Sequence, residues 1–428
     1  MRTLTYLLLT FILAAPVVAQ KLSKTEKKII ATVDANHSDA LAFLEKVVNI
    51  NSGSMNLEGV REVGKVFDEA FVSLGMETSW KEMPKEVNRA GHLFAEQKGT
   101  KGKRLVLIGH LDTVFPKDSP FQTWVDQDTI ALGPGANDMK GGNVVILYAL
   151  KALKEAGALD DTQIIVVLHG DEEASGKPIS ESRKHIIEAA KRSDIALGFE
   201  TSTGFDNATI ARRGSSGWSV TVTGKRAHSA GIFGESTGAG AIFEMSRILH
   251  QFYTDVKGEE YLTFNPGVIL GGTQVDFDEI LERGTAFGKS NVVAQKVTVT
   301  GGLRFISEDQ KTRARNKMKE IVANNLPQTS AEITFIDSYP AMPPTEGNMA
   351  VLEAFSQVSK DMGHGEVKPW DPGRRGAADI SFIADYVDGI DGLGTMGGGA
   401  HTPNEYLDLR TFNILTQRAA ILIYRLTR

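Results

Sequence analysis

The chain has 428 residues, 41% of them apolar and 23% charged, with a formal net charge of −6 and no cysteine. Its size exceeds one ordinary core and suggests about two or three domains, and its composition excludes a disordered or disulfide-stapled chain. The mild acidity and the lack of a dense Lys/Arg run exclude a nucleic-acid partner.

Arg2, the apolar run Leu7 to Ala15 and the stretch Val17-Val18-Ala19 predict a cleaved export signal over 1–19, with the mature chain starting near Gln20. The run falls short of the ~20 apolar residues that span a bilayer, so no membrane anchor is expected. The absence of cysteine also removes one class of metal ligand and of lipid attachment site. A secreted or periplasmic location fits both features.

Glu26 to Val48 predicts a helix, and Gly59 to Leu74 a second. Short apolar runs at Leu105 to Ile108, Ile164 to Leu168, Ile195 to Phe199 and Ile390 to Met396 predict strands. Helical stretches at Asn143 to Ala156 and Glu181 to Lys191 fall between the first three, which implies a mainly parallel α/β sheet covered on both faces. From about Gly214 the pattern changes to strand (Trp218 to Thr223), helix (Ala239 to Tyr253), strands (Gly267 to Gly271, Val292 to Phe305), helix (Glu308 to Asn325) and strand (Ala331 to Ile336). That order is ferredoxin-like. The expected organisation is a catalytic α/β domain over 20–213 and 330–428, with an inserted α+β lid over 214–329.

Several short motifs stand at or just past the ends of the predicted strands, where open α/β sheets place their ligands. In Gly109-His110-Leu111-Asp112 the extended backbone points His110 and Asp112 the same way, so the carboxylate can orient the ring. Taken alone, His110 reads equally well as a strand-end histidine. Asp138, in Gly133-Pro134-Gly135-Ala136-Asn137-Asp138-Met139-Lys140-Gly141-Gly142, could simply cap the helix that follows. The segment lacks the G-x-G-x-x-G spacing of a dinucleotide site. Asp171-Glu172-Glu173 alone would be a solvated loop. Glu200 ends another strand, and His401 lies in Gly397-Gly398-Gly399-Ala400-His401-Thr402-Pro403-Asn404-Glu405-Tyr406.

Together these motifs bring Asp112, Asp138, Glu172, Glu173 and Glu200 to one rim of one sheet. So many carboxylates in one crevice need protons or divalent cations. Two imidazoles among them favour zinc over magnesium or calcium, and a pair of divalent ions is the economical reading.

The ordered set GHLDTV, GANDMKGG, DEE, GFE and GGGAHTPNEY resembles the M20 metallopeptidase family, particularly its glutamate-carboxypeptidase-like and aminoacylase-like members. The resemblance covers nearly the whole mature chain. It implies two divalent ions, zinc or else cobalt or manganese, with Asp138 bridging them. His110 and Glu200 would complete one site, Glu173 and His401 the other, and the bond Asp138–Met139 would be a candidate for cis. Glu172 would be the general base, taking a proton from water and returning it to the leaving amine, and Asp112 would orient His110. His228, in Gly224-Lys225-Arg226-Ala227-His228, would reach the partner subunit's site and stabilise the oxyanion there, which makes a homodimer through the lid part of the expectation.

Asn291 and Arg304 would grip the substrate carboxylate as a pair. Here the chain departs from the family pattern. Asn291-Val292-Val293-Ala294 lacks the usual proline, Gly302-Leu303-Arg304 lacks the usual aspartate, and Tyr339-Pro340 stands where glutamate-specific relatives place a basic residue. The expected activity is release of a C-terminal amino acid from a small peptide. The alternatives are an N-acyl amino acid deacylase and a non-catalytic binding protein of the same fold. Arg374 and Arg375 are open to either substrate recognition or solvent. Met139 and Trp370 are expected to pack, and His169, His185, His250 and His364 match no ligand position.

Overall fold

The computed structural model describes residues 22–428 except 279, 280 and 282. The expected export signal and its cleavage point after Ala19 lie outside these residues. No described helix is long and apolar enough to cross a membrane.

Six strands build the main sheet in the order Glu77–Lys81, His92–Gln97, Thr162–His169, Lys101–His110, Ile195–Gly198 and Gly389–Ile390. The last four run parallel, and the first two form an antiparallel edge. The continuous apolar runs arise because both faces are covered. Along Lys101–His110 the two-residue period sends Leu105 and Leu107 into a core shared with helices Lys24–Ala35, Lys140–Glu155 and Leu409–Leu426. Val106 and Ile108 turn the other way, onto Ile186, Ala189, Ile380 and Ile383.

The predicted Glu26–Val48 helix is two helices, Lys24–Ala35 and His37–Val48. Asn36 separates them, its amide donating to the carbonyl of Thr32 (3.0 Å) and to Glu155 Oε2 (3.0 Å). A short polar side chain that satisfies backbone locally competes with a continuing helix. Ser23 and Glu26 form a reciprocal capping box at the first helix start. The next helix spans Leu57–Ser73.

A second, antiparallel sheet has the order Thr263–Gly272, Lys296–Phe305, Gly214–Gly224, Thr329–Asp337, with helices Gly240–Gln251 and Glu308–Ala323 on one face. The alternating burial of Gly214–Gly224 explains this one-sided packing: Trp218, Val220 and Val222 face Met245, Ile248, Met318 and Ile321. The order strand, helix, two strands, helix, strand is as expected, with an extra hairpin, Gln274–Asp278 with Arg283–Phe287, added to it. The expected order counts the strand Ala331 to Ile336 in the inserted layer, so a boundary at 329 falls one strand short. Thr329–Asp337 pairs along its whole length with Gly214–Gly224, so the inserted layer runs to Asp337. The alternation from Ala331 to Ile336 is the mark of a half-buried strand of this sheet.

Candidate metal centre

The carboxylates and imidazoles converge at the C-terminal rim of the parallel strands. His110 ends Lys101–His110, Glu172 and Glu173 follow Thr162–His169, and Glu200 follows Ile195–Gly198. Asp138 precedes the helix Lys140–Glu155, and His401 comes from the loop between Gly397–Gly398 and Tyr406–Asp408. That helix can approach the Glu200 strand because residue 142 is glycine. A Cβ there would stand 2.1 Å from the carbonyl oxygen of Phe199.

Asp138 does not cap its helix; Met139 holds the cap position, with no side-chain cap bond. The Asp138 carboxylate stands instead between two imidazoles. Its Oδ1 lies 3.4 Å from His110 Nε2, and its Oδ2 lies 3.4 Å from His401 Nε2. Glu200 Oε1 is 3.6 Å from His110 Nε2, and Glu173 Oε2 is 3.2 Å from His401 Nε2. The structure thus brings together all five residues expected to hold metal, in two groups that share Asp138. The bond Asp138–Met139 is cis.

These residues fit a pair of ions. His110 Nε2 is buried and has no hydrogen-bond partner among the described residues, an arrangement that wastes a nitrogen unless something else binds it. Two ligand atoms on one tetrahedral zinc, each at ~2.0–2.1 Å, stand about 3.3 Å apart, close to the separations seen here. Ligand atoms of His110, Asp138 and Glu173, and of His110, Glu172 and Glu200, lie within 4.8 Å of one another.

The charges of the site explain its proton affinities. The imidazoles of His110 and His401 hold Asp138 below the usual carboxylate range despite burial that opposes this. Burial, with Asp138 beside it, pushes Glu200 up to about 7. Burial raises Glu172 well above its ordinary value, and Asp379, Glu200 and Glu173 add to the rise.

The supports of these side chains are well formed. Asp112 is fully buried and accepts from Ser54 Oγ (2.5 Å) and from the N–H groups of Glu172 (3.0 Å) and Glu173 (3.1 Å). Its backbone carbonyl lies 3.0 Å from His110 Nδ1, nearer than its carboxylate at 3.4 Å. Asp112 therefore fixes the ring and the Glu172–Glu173 segment together. Glu405 went unassigned in the sequence, yet its Oε1 accepts from the N–H groups of Asn137 (3.0 Å) and Asp138 (2.9 Å). A buried carboxylate needs donors, and a glutamate four residues after His401 in a glycine-rich motif was the signal available.

The remaining candidates lie elsewhere. His228 is exposed, its Nδ1 accepting from the N–H of Ala230 (3.2 Å), and it sits beside Asn291 through a bridge to Val292 and a bond from Ser229 N–H to the Asn291 carbonyl (2.9 Å). Arg304 is at the opposite end of the same sheet. It pairs with Ser215, whereas the Asn291 end is marked by the pair Lys296 and Thr223, eight residues along the strand, or about 27 Å. Asn291 and Arg304 of one chain therefore cannot grip one carboxylate, and the expected pair is corrected on that point. Spacing along the chain does not reveal which end of a strand a residue occupies.

Arg375 donates to the carbonyl of Thr201 (2.7 Å) and to its hydroxyl (3.1 Å), and Arg374 lies over Trp370. Met139 is buried in the core. His169 is buried against Asp379 and His92, His364 stacks on Phe205, His185 is half-buried and His250 is exposed.

Comparison with known proteins agrees with this geometry. The model of peptidase family M20/M25/M40 matches residues 106–425. Carboxypeptidase G2 of Pseudomonas sp. (strain RS-16) is 29% identical over 389 residues, covering 89% of this chain and 87% of that protein. The crystal structure of aminopeptidase PepT from Bacillus cereus superposes with a TM-score of 0.74 at 18% identity, covering 92% of this chain and 99% of the other. The YXEP protein of Bacillus subtilis, described as a dinuclear metal binding peptidase from M20 family, gives 0.61 at 14% identity over 92% and 99% of the two chains. The chain belongs to peptidase family M20/M25/M40, hydrolases of amide and peptide bonds.

Proposed function

We propose that the chain is a two-metal exopeptidase that releases a C-terminal amino acid from a dipeptide or other small peptide. The observation that carries this reading is the Asp138 carboxylate, with one oxygen turned to each histidine of two ligand groups and Glu172 beside them. His110, Asp138 and Glu200 would hold one ion, Asp138, Glu173 and His401 the other, with zinc as the favoured metal. Such a pair, when bound, lowers the pKa of water and polarises a carbonyl.

The chain's own residues do the rest. Glu172 takes the proton from water and returns it to the leaving amine. Asp112 keeps His110 and the Glu172–Glu173 segment in register through the bonds described above. The relative named carboxypeptidase G2, matched along most of both chains, supports release at the C-terminal side.

The inserted layer acts as a lid and as the dimer contact. It leaves Ile242 52% and Phe243 51% exposed on its helix, with Phe233 packed on Phe243 at 5.5 Å, an apolar patch that a second copy would cover. His228 lies at the tip of that layer, roughly 30 Å along its strand from the end joined to the main sheet. It would supply an oxyanion donor to the partner's site rather than its own. The leader over 1–19 supports export of the mature chain to a periplasmic or extracellular space.

Amine release from dipeptides, N-acyl amino acids and their C-terminal amides, with zinc, cobalt or manganese supplied, tests the reading. Cleavage that needs the free carboxyl is expected. Equal cleavage of the amides would remove the exopeptidase assignment, and preference for N-acyl amino acids over dipeptides would replace it with deacylation.

A further inference from the structure

A buried group of hydrogen bonds behind the metal-facing side chains has no part in the chemistry above. Its centre is Arg183, fully buried, which donates to Asp171 Oδ1 (2.7 Å), Asp379 Oδ1 (2.7 Å), Ser175 Oγ (3.0 Å) and the hydroxyl of Tyr339 (3.1 Å). Ser175 Oγ lies 2.6 Å from the same tyrosine hydroxyl. The Tyr339 hydroxyl in turn donates to the backbone carbonyl of Glu172 (2.9 Å).

The direction of that last bond is forced. A guanidinium only donates, so the tyrosine oxygen must accept from Arg183, and a carbonyl only accepts, so the bond to Glu172 uses the phenolic proton. Ser175 Oγ stands 3.5 Å from the same carbonyl, beyond a good hydroxyl bond length, and the tyrosine at 2.9 Å is its nearer donor. A hydroxyl has one proton and two lone pairs, and with Ser175 as the second donor all three are used. The positive charge behind the oxygen strengthens the bond in front.

The carbonyl of Glu172 and the N–H of Glu173 belong to one planar peptide unit. Its N–H is held by Asp112 Oδ2 (3.1 Å) and its carbonyl by Tyr339. The unit that joins the residue read as base to a residue read as ligand is thus gripped at both ends. The two grips have different origins. Asp112 belongs to the main sheet's rim, whereas Tyr339 stands two residues past the strand Thr329–Asp337, and its carbonyl accepts from the N–H of Ser215 (2.8 Å) at the start of the inserted layer.

We propose that Tyr339 is a positioning residue: its hydroxyl fixes the Glu172–Glu173 peptide from the hinge of the inserted layer and so aims the Glu172 carboxylate. The inference rests on Glu172 being the general base. Packing alone accounts for the ring, which lies 4.8 Å from Phe382, but not for the hydroxyl. Tyr339→Phe keeps the ring and removes the hydroxyl with its three bonds, to Glu172, Arg183 and Ser175, and thermal unfolding reads the part of the effect that is loss of stability.

The test is a double-variant cycle on the metal-loaded protein with Tyr339→Phe, Glu172→Gln and both, measuring kcat, KM, metal content and thermal unfolding. Tyr339→Phe should keep its metals and its KM while kcat falls about 10- to 100-fold, the usual cost of losing an outer hydrogen-bond partner. In the Glu172→Gln background the same change should cost nothing further, because a base that is absent cannot be misaimed. Undiminished kcat in Tyr339→Phe, loss of metal from it, or losses that multiply in the double variant would each overturn the role of Tyr339 and leave Glu172 in place. Full turnover in Glu172→Gln alone would overturn the base assignment itself.

Discussion

The rim of the main sheet and the tip of the inserted layer are built on opposite principles. At the rim, Asp112 and Glu405 are almost wholly buried, and each is held by several donors. At the tip, His228 and Asn291 are both exposed, and the described residues give the His228 ring only the N–H of its neighbour Ala230. A site whose geometry must be exact to fractions of an ångström is fixed by burial and hydrogen bonding, at the cost of crowding like charges. On the proposed reading His228 serves another chain, and such a group must remain outside its own fold. The difference would then separate what one chain completes from what assembly supplies.

The rim offers the largest effect. Asp138→Ala should remove both metal ions together and drop turnover to background, since each of its oxygens faces a different histidine. Elemental analysis of the purified variant decides this, and loss of a single ion would show that the two groups are held independently. Next comes Glu172→Gln, which should retain about two ions per chain yet lose about 100- to 10,000-fold in kcat. Metal loss equal to that of Glu173→Gln would make Glu172 a ligand and dissolve the distinction between base and ligand at the rim.

The tip follows with an effect of intermediate size. His228→Ala should preserve metals and fold while turnover falls about 100- to 1,000-fold, the typical worth of one preorganised oxyanion donor. Mixing it with Glu172→Gln under subunit exchange should restore partial activity, because one of the two mixed sites regains both groups. Exchange without recovery would place the action of His228 inside its own chain, and the tip would then serve the same site as the rim.

How legible each region was follows from how local its causes are. Each parallel strand of the main sheet shows itself as a short run of apolar residues because both faces are covered, and the residues at or just past its end then stand at the rim. His110, Glu173 and Glu200 could be placed in that way, and Asp138 and His401 came with the glycine-rich segments around them. What the sequence did not show depends on partners far along the chain. Glu405 grips residues 137 and 138 from 268 and 267 positions away, and Tyr339 reaches Glu172 across 167. The break at Asn36 depends partly on Glu155. The last strand of the inserted layer was legible as the alternation from Ala331 to Ile336, and its pairing with Gly214–Gly224 fixes its register and carries it to Asp337.

The smallest effect concerns Arg304, which lies on the inserted layer but at the end that meets the rim. Leu303 and Phe305 on either side of it are buried in the layer's core, so Arg304 projects from the opposite, open face. Partial burial and the neighbouring guanidinium of Arg213 lower its pKa, and a pair of like charges left together favours an anion between them. A substrate carboxylate is such an anion, and a guanidinium can hold it through two bonds. Arg304→Ala should therefore raise KM about tenfold, near the low end for a hydrogen bond to a charged group, with kcat little changed. Steady-state kinetics on one dipeptide, with its uncleaved C-terminal amide as a competitive inhibitor, gives the answer. The inhibition constant of the amide, which has no carboxylate to lose, should stay as it is while KM for the dipeptide rises. An equal rise in both constants would mean that Arg304 braces the open face of the layer, and the carboxylate grip would then have to come from another part of the site.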